Sequence, residues 1–548
     1  MKKCISWVGV MAILALAVCS IWPRTAETDF SNMVLTGEVL CSENGTVTLN
    51  LGELTGNLTP ESISGIRFPV VISSFVHAAP DTSTAETAVQ AFISWKRDTV
   101  LDLNKAAVYS VSEDGEQLPG SVDDIAPQNL ISVTVDDTNR PATVFILQNT
   151  EKICLDSESV QGSAANTITE DLSERGTEYT STGDDENALR VVGAKATLRH
   201  SEVEKQSGSS SDSFRSGRYG LNAALLATDG AHLSLINGIV NASVDGSTGL
   251  FGYGAGTLIN LNGGAITTTG DGGTGVQASG GAQIQVQDLT AITAGNSASV
   301  ICTARDGRVD ADGGMFTSGG YDSPAVYAMG DVTMSHAELT ANNSQALVLE
   351  DSPEVILRNC TVSGNMQTEE ATTETGQTIQ LYSSRSDSSQ DSAVLRMLGG
   401  SLASKSGNLF NATNTRCEIL LNQVNIENSG SDVLLCATGN SGIYGTAGEN
   451  GADVTLRAQK QQLNGRILVD DISSLHFILE QGSSFSGMIQ KTAFEGSTAP
   501  NGEITVKIAK GSTWSLTGNS TVDILQNEGT IVWNGYTITL ADGTVLSA

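Results

Sequence analysis

Gly249-Leu-Phe-Gly-Tyr-Gly-Ala-Gly-Thr-Leu-Ile-Asn-Leu-Asn-Gly-Gly-Ala-Ile-Thr-Thr-Thr-Gly-Asp-Gly272 decides the fold, because the next stretch repeats it. Gly275-Val-Gln-Ala-Ser-Gly-Gly-Ala-Gln-Ile-Gln-Val-Gln-Asp-Leu-Thr-Ala-Ile-Thr-Ala-Gly-Asn-Ser297 has the same plan, and so do Ala298 to Gly320 and Pro324 to Ala341. Each line holds three short apolar–polar–apolar runs separated by Gly, Asn, Asp or Ser. Leu250, Val276, Val300, Val326 and Leu347 take equivalent places, so the repeat is about 21–26 residues.

Three strands of about three to five residues with three turns make one rung of a parallel coil. Alternation within each strand sends one set of side chains inward and the other to solvent. Stacked rungs then form ladders of Val, Ile and Leu. No 3.6-residue stripe runs through the repeats, which excludes leucine-rich, ankyrin and TPR arrays. A β-propeller would repeat at about 40 residues. The expected fold is all-β: a right-handed parallel β-helix over residues 188–548, of about a dozen rungs and about 60 Å. Longer steps carry Ser/Thr-rich insertions at Met366 to Thr378 and Ser383 to Ser392. Polar residues Ser181 to Asn187 and Ala541 to Gly543 are expected to cap the ends, where open β edges would otherwise stack.

Working outward, residues 151–187 are rich in Ser, Thr, Glu and Asp and predict a linker or irregular cap. Residues 29–150 predict a small β-barrel-like domain. Met33 to Leu51 forms two alternating strands around an Asn44-Gly45 turn, and Ile131 to Gln148 forms a second hairpin. The stretch from Arg67 to Lys96 fits neither hairpin. Residues 1–28 read as a signal peptide or membrane anchor: Lys2 and Lys3, then an apolar run from Ile5 to Trp22, ended by Pro23-Arg24. Cleavage near Cys19, retention as an anchor and lipidation at Cys19 are the three fates. The expected location is extracellular or cell-surface, with membrane contact only through this segment.

Lys plus Arg number 29 against 61 Asp plus Glu, a formal charge of −32. With no basic stripe, nucleic acid and anionic lipid are excluded as partners by repulsion. The residues imply no cofactor, and weak Ca²⁺ binding is the one addition that carboxylate clusters would allow. Cys4 and Cys19 lie in the signal. Cys41, Cys154, Cys302, Cys360, Cys417 and Cys436 have no metal spacing and read as small buried hydrophobes. A Cys41–Cys154 disulfide is the one pairing considered.

Gly511-Ser-Thr-Trp-Ser-Leu-Thr-Gly-Asn-Ser520, followed by Leu525 and Gly529-Thr-Ile531, resembles the last rungs of autotransporter passenger domains. The repeats, with Ala227 to Ala231 and Gly264 to Gly272, resemble adhesin-like, pectin-lyase-type β-helix proteins of gut bacteria. The resemblance covers about 360 residues. It departs from the autotransporters in having no membrane β-barrel pattern after the capping rungs. The 29–150 segment is similar to small β modules of bacterial exported proteins. The resemblance implies an adhesin-like scaffold that binds an extracellular glycan or a host surface.

The same fold hosts polysaccharide lyases and hydrolases, so enzyme chemistry is the alternative, and a structural surface or matrix protein is the third reading. Hydrolysis of the polygalacturonase type needs paired carboxylates, and that family's Gly-His-Gly and Arg-x-Lys rungs are missing around His77, His200, His232, His336 and His476. Lyase chemistry needs acidic Ca²⁺ ligands beside an Arg or Lys base. Asp306, Asp310 and Asp312 beside Arg305 and Arg308 come nearest, although turn and surface aspartates account for the same pattern. Asp184-Asp185 and Asp470-Asp471 read as turn residues. No GxSxG, HExxH, P-loop or Rossmann fingerprint occurs. Gly252 to Gly256 reads as a rung turn. Tyr253, Tyr321 and Tyr327 are the aromatics placed to stack on sugars. No catalytic, cofactor-binding or metal residue is assigned from the sequence.

Overall fold

A computed structural model describes residues 34–58, 69–74, 89–154 and 161–548, except 44, 112–116, 127–128, 137, 148–149, 305, 367–375, 385–391, 440–449, 495–496 and 498–500. The chain separates into two compact units, drawn for the most part from before and after Thr150. The signal segment, His77 and Arg305 lie outside the described residues, as do the side chains of Cys41 and Cys154.

In the first unit, Val34–Glu43 pairs antiparallel with Thr46–Leu58, with Glu43 opposite Thr46. Gly45 lies in a turn between them at φ +75°, and Asn44 lies outside the described residues. Leu130–Val135 and Pro141–Leu147 form the second hairpin, and Asp136 ties its turn by accepting from the Thr138 and Arg140 amides. Ala107–Val111 adds in parallel to Pro141–Leu147, so the sheet is mixed. Leu35, Val39, Val47, Leu49, Ile131, Val133 and Val144 are buried. The expected barrel closure bears on residues 52–98, whose side chains lie outside the description.

The second unit is a parallel β-helix with three long sheets of fifteen, fourteen and ten strands. All pairs within these sheets are parallel, and each strand's neighbours come from the coils before and after it. Right-handed winding is the sense that twisted parallel crossovers adopt. Fifteen coils at about 4.8 Å make a stack of roughly 65–70 Å, longer than a dozen rungs would give. The interior is built from ladders such as Leu225–Leu250–Val276–Ile301–Val326–Leu347–Ile379, all fully buried. Ile301, not Val300, holds the inward register. Both are buried apolar residues, so alternation alone does not separate them. Each such side chain contributes about 1.5–3 kcal/mol.

The three corners of the coil behave differently. Every strand of the ten-stranded sheet begins three residues after the preceding strand ends, from Arg175/Glu178 to Asn422/Asn425. The first linking residue is left-handed each time, including His200, Asn237, Gly263, Asp288, Gly313, His336 and Gly399 at φ +49° to +72°. Its amide donates to the next coil, as from Asp288 to the Asp312 carbonyl at 3.0 Å. The other two corners, on either side of the fifteen-stranded sheet, absorb all the extra length. Residues 206–224, 365–376, 383–391 and 439–451 all lie there.

The structure corrects three expectations. The coil begins before Ala188: Thr167–Ile168, Leu172–Arg175 and Glu178–Ser181 pair in parallel with the following coil, so residues 163–187 are its first turn rather than a linker. Ser181 to Asn187 is not an end cap. It is a corner wrapped around buried Lys205, whose Nζ donates to the Gly183 and Glu186 carbonyls. After Asn428 the ten-stranded sheet stops, and the coils run on two longer strands, such as Gln462–Asp470 and Ser474–Glu480. Around the 541–543 turn, Val545–Leu546 runs back antiparallel on Ile538–Thr539. Four described thiols, Cys302, Cys360, Cys417 and Cys436, are unpaired and buried or half-buried. Among the described residues, no helix is long and apolar enough to cross a membrane.

Candidate functional site

The outer face of the fourteen-stranded sheet carries the constellation singled out in the sequence. Arg308–Asp312 is one strand with Val309 and Ala311 inward, so Arg308, Asp310 and Asp312 share the solvent face. Arg308 clasps Asp310 with two bonds of 2.7 Å and reaches Asp331 on the next coil at 3.8 Å. The Asp310 carboxylate raises the guanidinium's pKa further, so Arg308 is a held cation rather than a free base. Asp312 meets His336 Nδ1 at 2.9 Å, both well exposed. Asp306 sits in the preceding turn at φ +61°. Among the described residues, no group of three or more His, Cys, Asp or Glu is placed to hold a metal ion.

The two coils before this strand give the face its character. Leu258–Asn262 and Gln283–Gln287 set Asn260, Asn262, Gln283, Gln285 and Gln287 outward, in register with Arg308, Asp310 and Asp312. Asn262 donates to Gln287 at 3.1 Å. Among the described residues, Asn260, Gln283 and Gln285 find no partner for their amides. A shallow groove of about 380 Å³ crosses these strands, lined by Asn260, Asn262, Gln285, Gln287, Asp310 and Asp312 and ending at Thr333. Farther along the same face, polar groups are occupied by one another. Arg396 bridges Glu354 and Glu418, and Arg457 meets Glu480.

The outer face of the fifteen-stranded sheet holds a second cluster. Tyr327 and Tyr382 both donate to Glu350 Oε2, Tyr382 at 3.0 Å, and their hydroxyls lie 2.7 Å apart. Burial, the Tyr382 hydroxyl and the Glu350 charge push the Tyr327 hydroxyl far up, so it remains a proton donor. Of the tyrosines expected to face sugars, Tyr327 is therefore engaged with Glu350. Tyr253 packs edge-on to Tyr219 at 5.6 Å, and Tyr321 is 48% exposed. The helix Ser213–Tyr219 lies on the N-terminal part of this face, where Gln277 and Ser279 donate to its backbone. Sequence reasoning missed Glu350 and Tyr382 because 55 residues separate Tyr327 from Tyr382. Their matching outward positions were the available signal.

The aspartate pairs divide. Asp184 lies in a turn, as expected, and accepts from the Ser209 amide on the next coil. Asp470 is not a solvated turn residue but is buried, accepting from Thr438 and the Gly439 amide at 2.9 and 2.6 Å. Gly252 lies within the strand Leu250–Tyr253, and the turn follows at Gly254 and Gly256. No family model matches the chain, and no curated protein sequence is similar to it.

Proposed function

We propose that the chain is an exported, extracellular or cell-surface scaffold, adhesin-like in role, that binds glycans on a host surface or in the surrounding matrix. One observation carries the reading: outward amides with no protein partner line an open groove on a rigid stack. Unpaired amides have their hydrogen-bonding capacity free for a ligand's hydroxyls. A long rod can add weak contacts along one axis. The lysines and apolar run at the N-terminus support export.

The test is an array of mucin glycans and plant polysaccharides, probed with the chain from Asp29 onward, with calcium and with EDTA. The wash is assayed for released sugar. Retention without release is the expected result, and no retention on any glycan refutes the reading. Loss with EDTA would give calcium a role. A second reading, a polysaccharide lyase or hydrolase, is favoured by the Tyr327–Glu350–Tyr382 cluster, a carboxylate held in place by two tyrosine hydroxyls. Released oligosaccharide that disappears in Glu350→Gln would establish it in place of the first.

A further inference from the structure

We infer that the groove on the fourteen-stranded sheet takes an uncharged polysaccharide lying along the coil axis, about one sugar ring per coil. The inference rests on the glycan-binding reading and adds the site, the direction and the charge class. Ser234, Asn260, Gln285, Asp310 and Thr333 stand directly over one another on five successive coils. The period of the column is the strand spacing, about 4.8 Å. An extended β-linked pyranose chain advances by nearly that distance per ring. An extended peptide advances about 3.3–3.4 Å per residue, so it meets the column only at every third residue, on alternate coils, and not on each one.

Chemistry narrows the ligand further. Each amide offers both donors and acceptors, the combination that sugar hydroxyls match. The central coils, with Asn260, Asn262, Gln283, Gln285 and Gln287, carry no charge. Toward the C-terminal end the groove meets Asp310 and Asp312, with Asp288 at the adjoining corner and Asp331 on the next coil. The basic groups nearby are Arg308, held by Asp310, His336, beside Asp312, and His232, exposed on the Ser234 strand at the other end of the column. A polyuronate or sulfated chain would be repelled there, whereas a neutral chain crosses without a charge penalty.

The experiment is calorimetric titration of the chain from Asp29 onward with neutral β-linked gluco-, xylo- and manno-oligosaccharides, from the disaccharide to the hexasaccharide. Oligogalacturonates serve as the anionic series and glucosamine oligomers as the cationic one. Asn260→Ala and Gln285→Ala remove solvent-facing amides, and Thr455→Ala alters the same sheet face outside the groove. For one neutral series, affinity should rise with length until the column is filled. Each amide variant should then weaken binding about fivefold, the loss of one hydrogen bond, and Thr455→Ala should leave it unchanged. Equal or tighter binding of an anionic or cationic series overturns the charge class. Neutral binding that ignores both amide variants overturns the site while leaving glycan binding intact. Failure to bind any series, when the array retains other glycans, overturns this inference alone. Failure on the array as well overturns both.

Discussion

Gly400→Ala tests the two-residue corner most directly. Gly400 sits at φ +80°, and a Cβ there would lie 2.1 Å from the Cys360 carbonyl oxygen and 2.7 Å from the Cys360 amide nitrogen. Those atoms belong to the backbone of the preceding coil, and the carbonyl accepts the Ser401 amide at 2.9 Å. The left-handed backbone alone costs alanine about 1–2 kcal/mol. Displacing the carbonyl forfeits its bond and leaves a buried acceptor, about 1–3 kcal/mol more. The expected total is about 3 kcal/mol. Gly254→Ala is the matched control, because Gly254 has φ +90° with nothing within 4 Å of the added carbon. It should cost only the backbone share. Hydrogen exchange followed by mass spectrometry reads both as local opening energies. In a stack whose coils touch only their neighbours, Gly400→Ala should loosen Thr361–Gly364 and Ser401–Ser404 and spare Leu250–Tyr253. Equal costs for the two variants, or a Gly400→Ala cost below about 1 kcal/mol, would refute the argument.

Trp514 is fully buried, 6.0 Å from the Phe485 ring, and donates to the Gly487 carbonyl at 3.0 Å. Trp514→Ala should cost about 3–5 kcal/mol, and limited proteolysis should open the coils after Ser484 first; uniform loosening would count against local stacking. Lys205→Met takes the ammonium donor from the Gly183 and Glu186 carbonyls, leaving Glu186 only the longer bond from the Ser181 hydroxyl, and should weaken the first coils by about 1–3 kcal/mol, measured by exchange at Glu178–Ser181. Burial pushes the Cys436 thiol up to about 11 and the Cys302 thiol up to about 12. The folded state therefore holds protons that the unfolded chain releases near pH 8.5. This stability is complete below about pH 8.5 and is lost progressively as pH rises toward the folded values. Denaturation midpoints taken from pH 8 to 11 should fall less steeply in Cys302→Ala and Cys436→Ala, and an unchanged slope would contradict the burial argument.

The repeat was legible because strands such as Gln283–Gln287 alternate strictly, so the inward Ile284 and Val286 announce the period. The first coil was not, because its strands are as short as Thr167–Ile168 and its inward positions are few: Ile168, Tyr179 and the half-buried Leu172. Its Ser, Thr and Glu content therefore reads as linker. The two-strand coils after Asn428 were equally hidden, since alternation in Gln462–Asp470 shows a strand but not how many complete a turn. At the site, the shared face of Asp310 and Asp312 follows from their spacing alone. The partnership of Arg308 with Asp310, and the meeting of Tyr327, Glu350 and Tyr382, depend on which coils stack, which composition does not state.

The unequal corners have a practical consequence. The link into the ten-stranded sheet keeps its length in each of the ten coils that have it, while the corners flanking the fifteen-stranded sheet admit steps as long as residues 206–224 and leave the register of later strands intact. The stack is therefore a ruler with fixed graduations and free pegs. A foreign peptide spliced into a corner beside the fifteen-stranded sheet, at residues 243–249 for instance, would be held at an axial height set by its coil. Two such peptides would be separated in increments of about 4.8 Å. The same peptide placed between Asp288 and Thr290 would break the left-handed link and the ladder of amide bonds that runs through it.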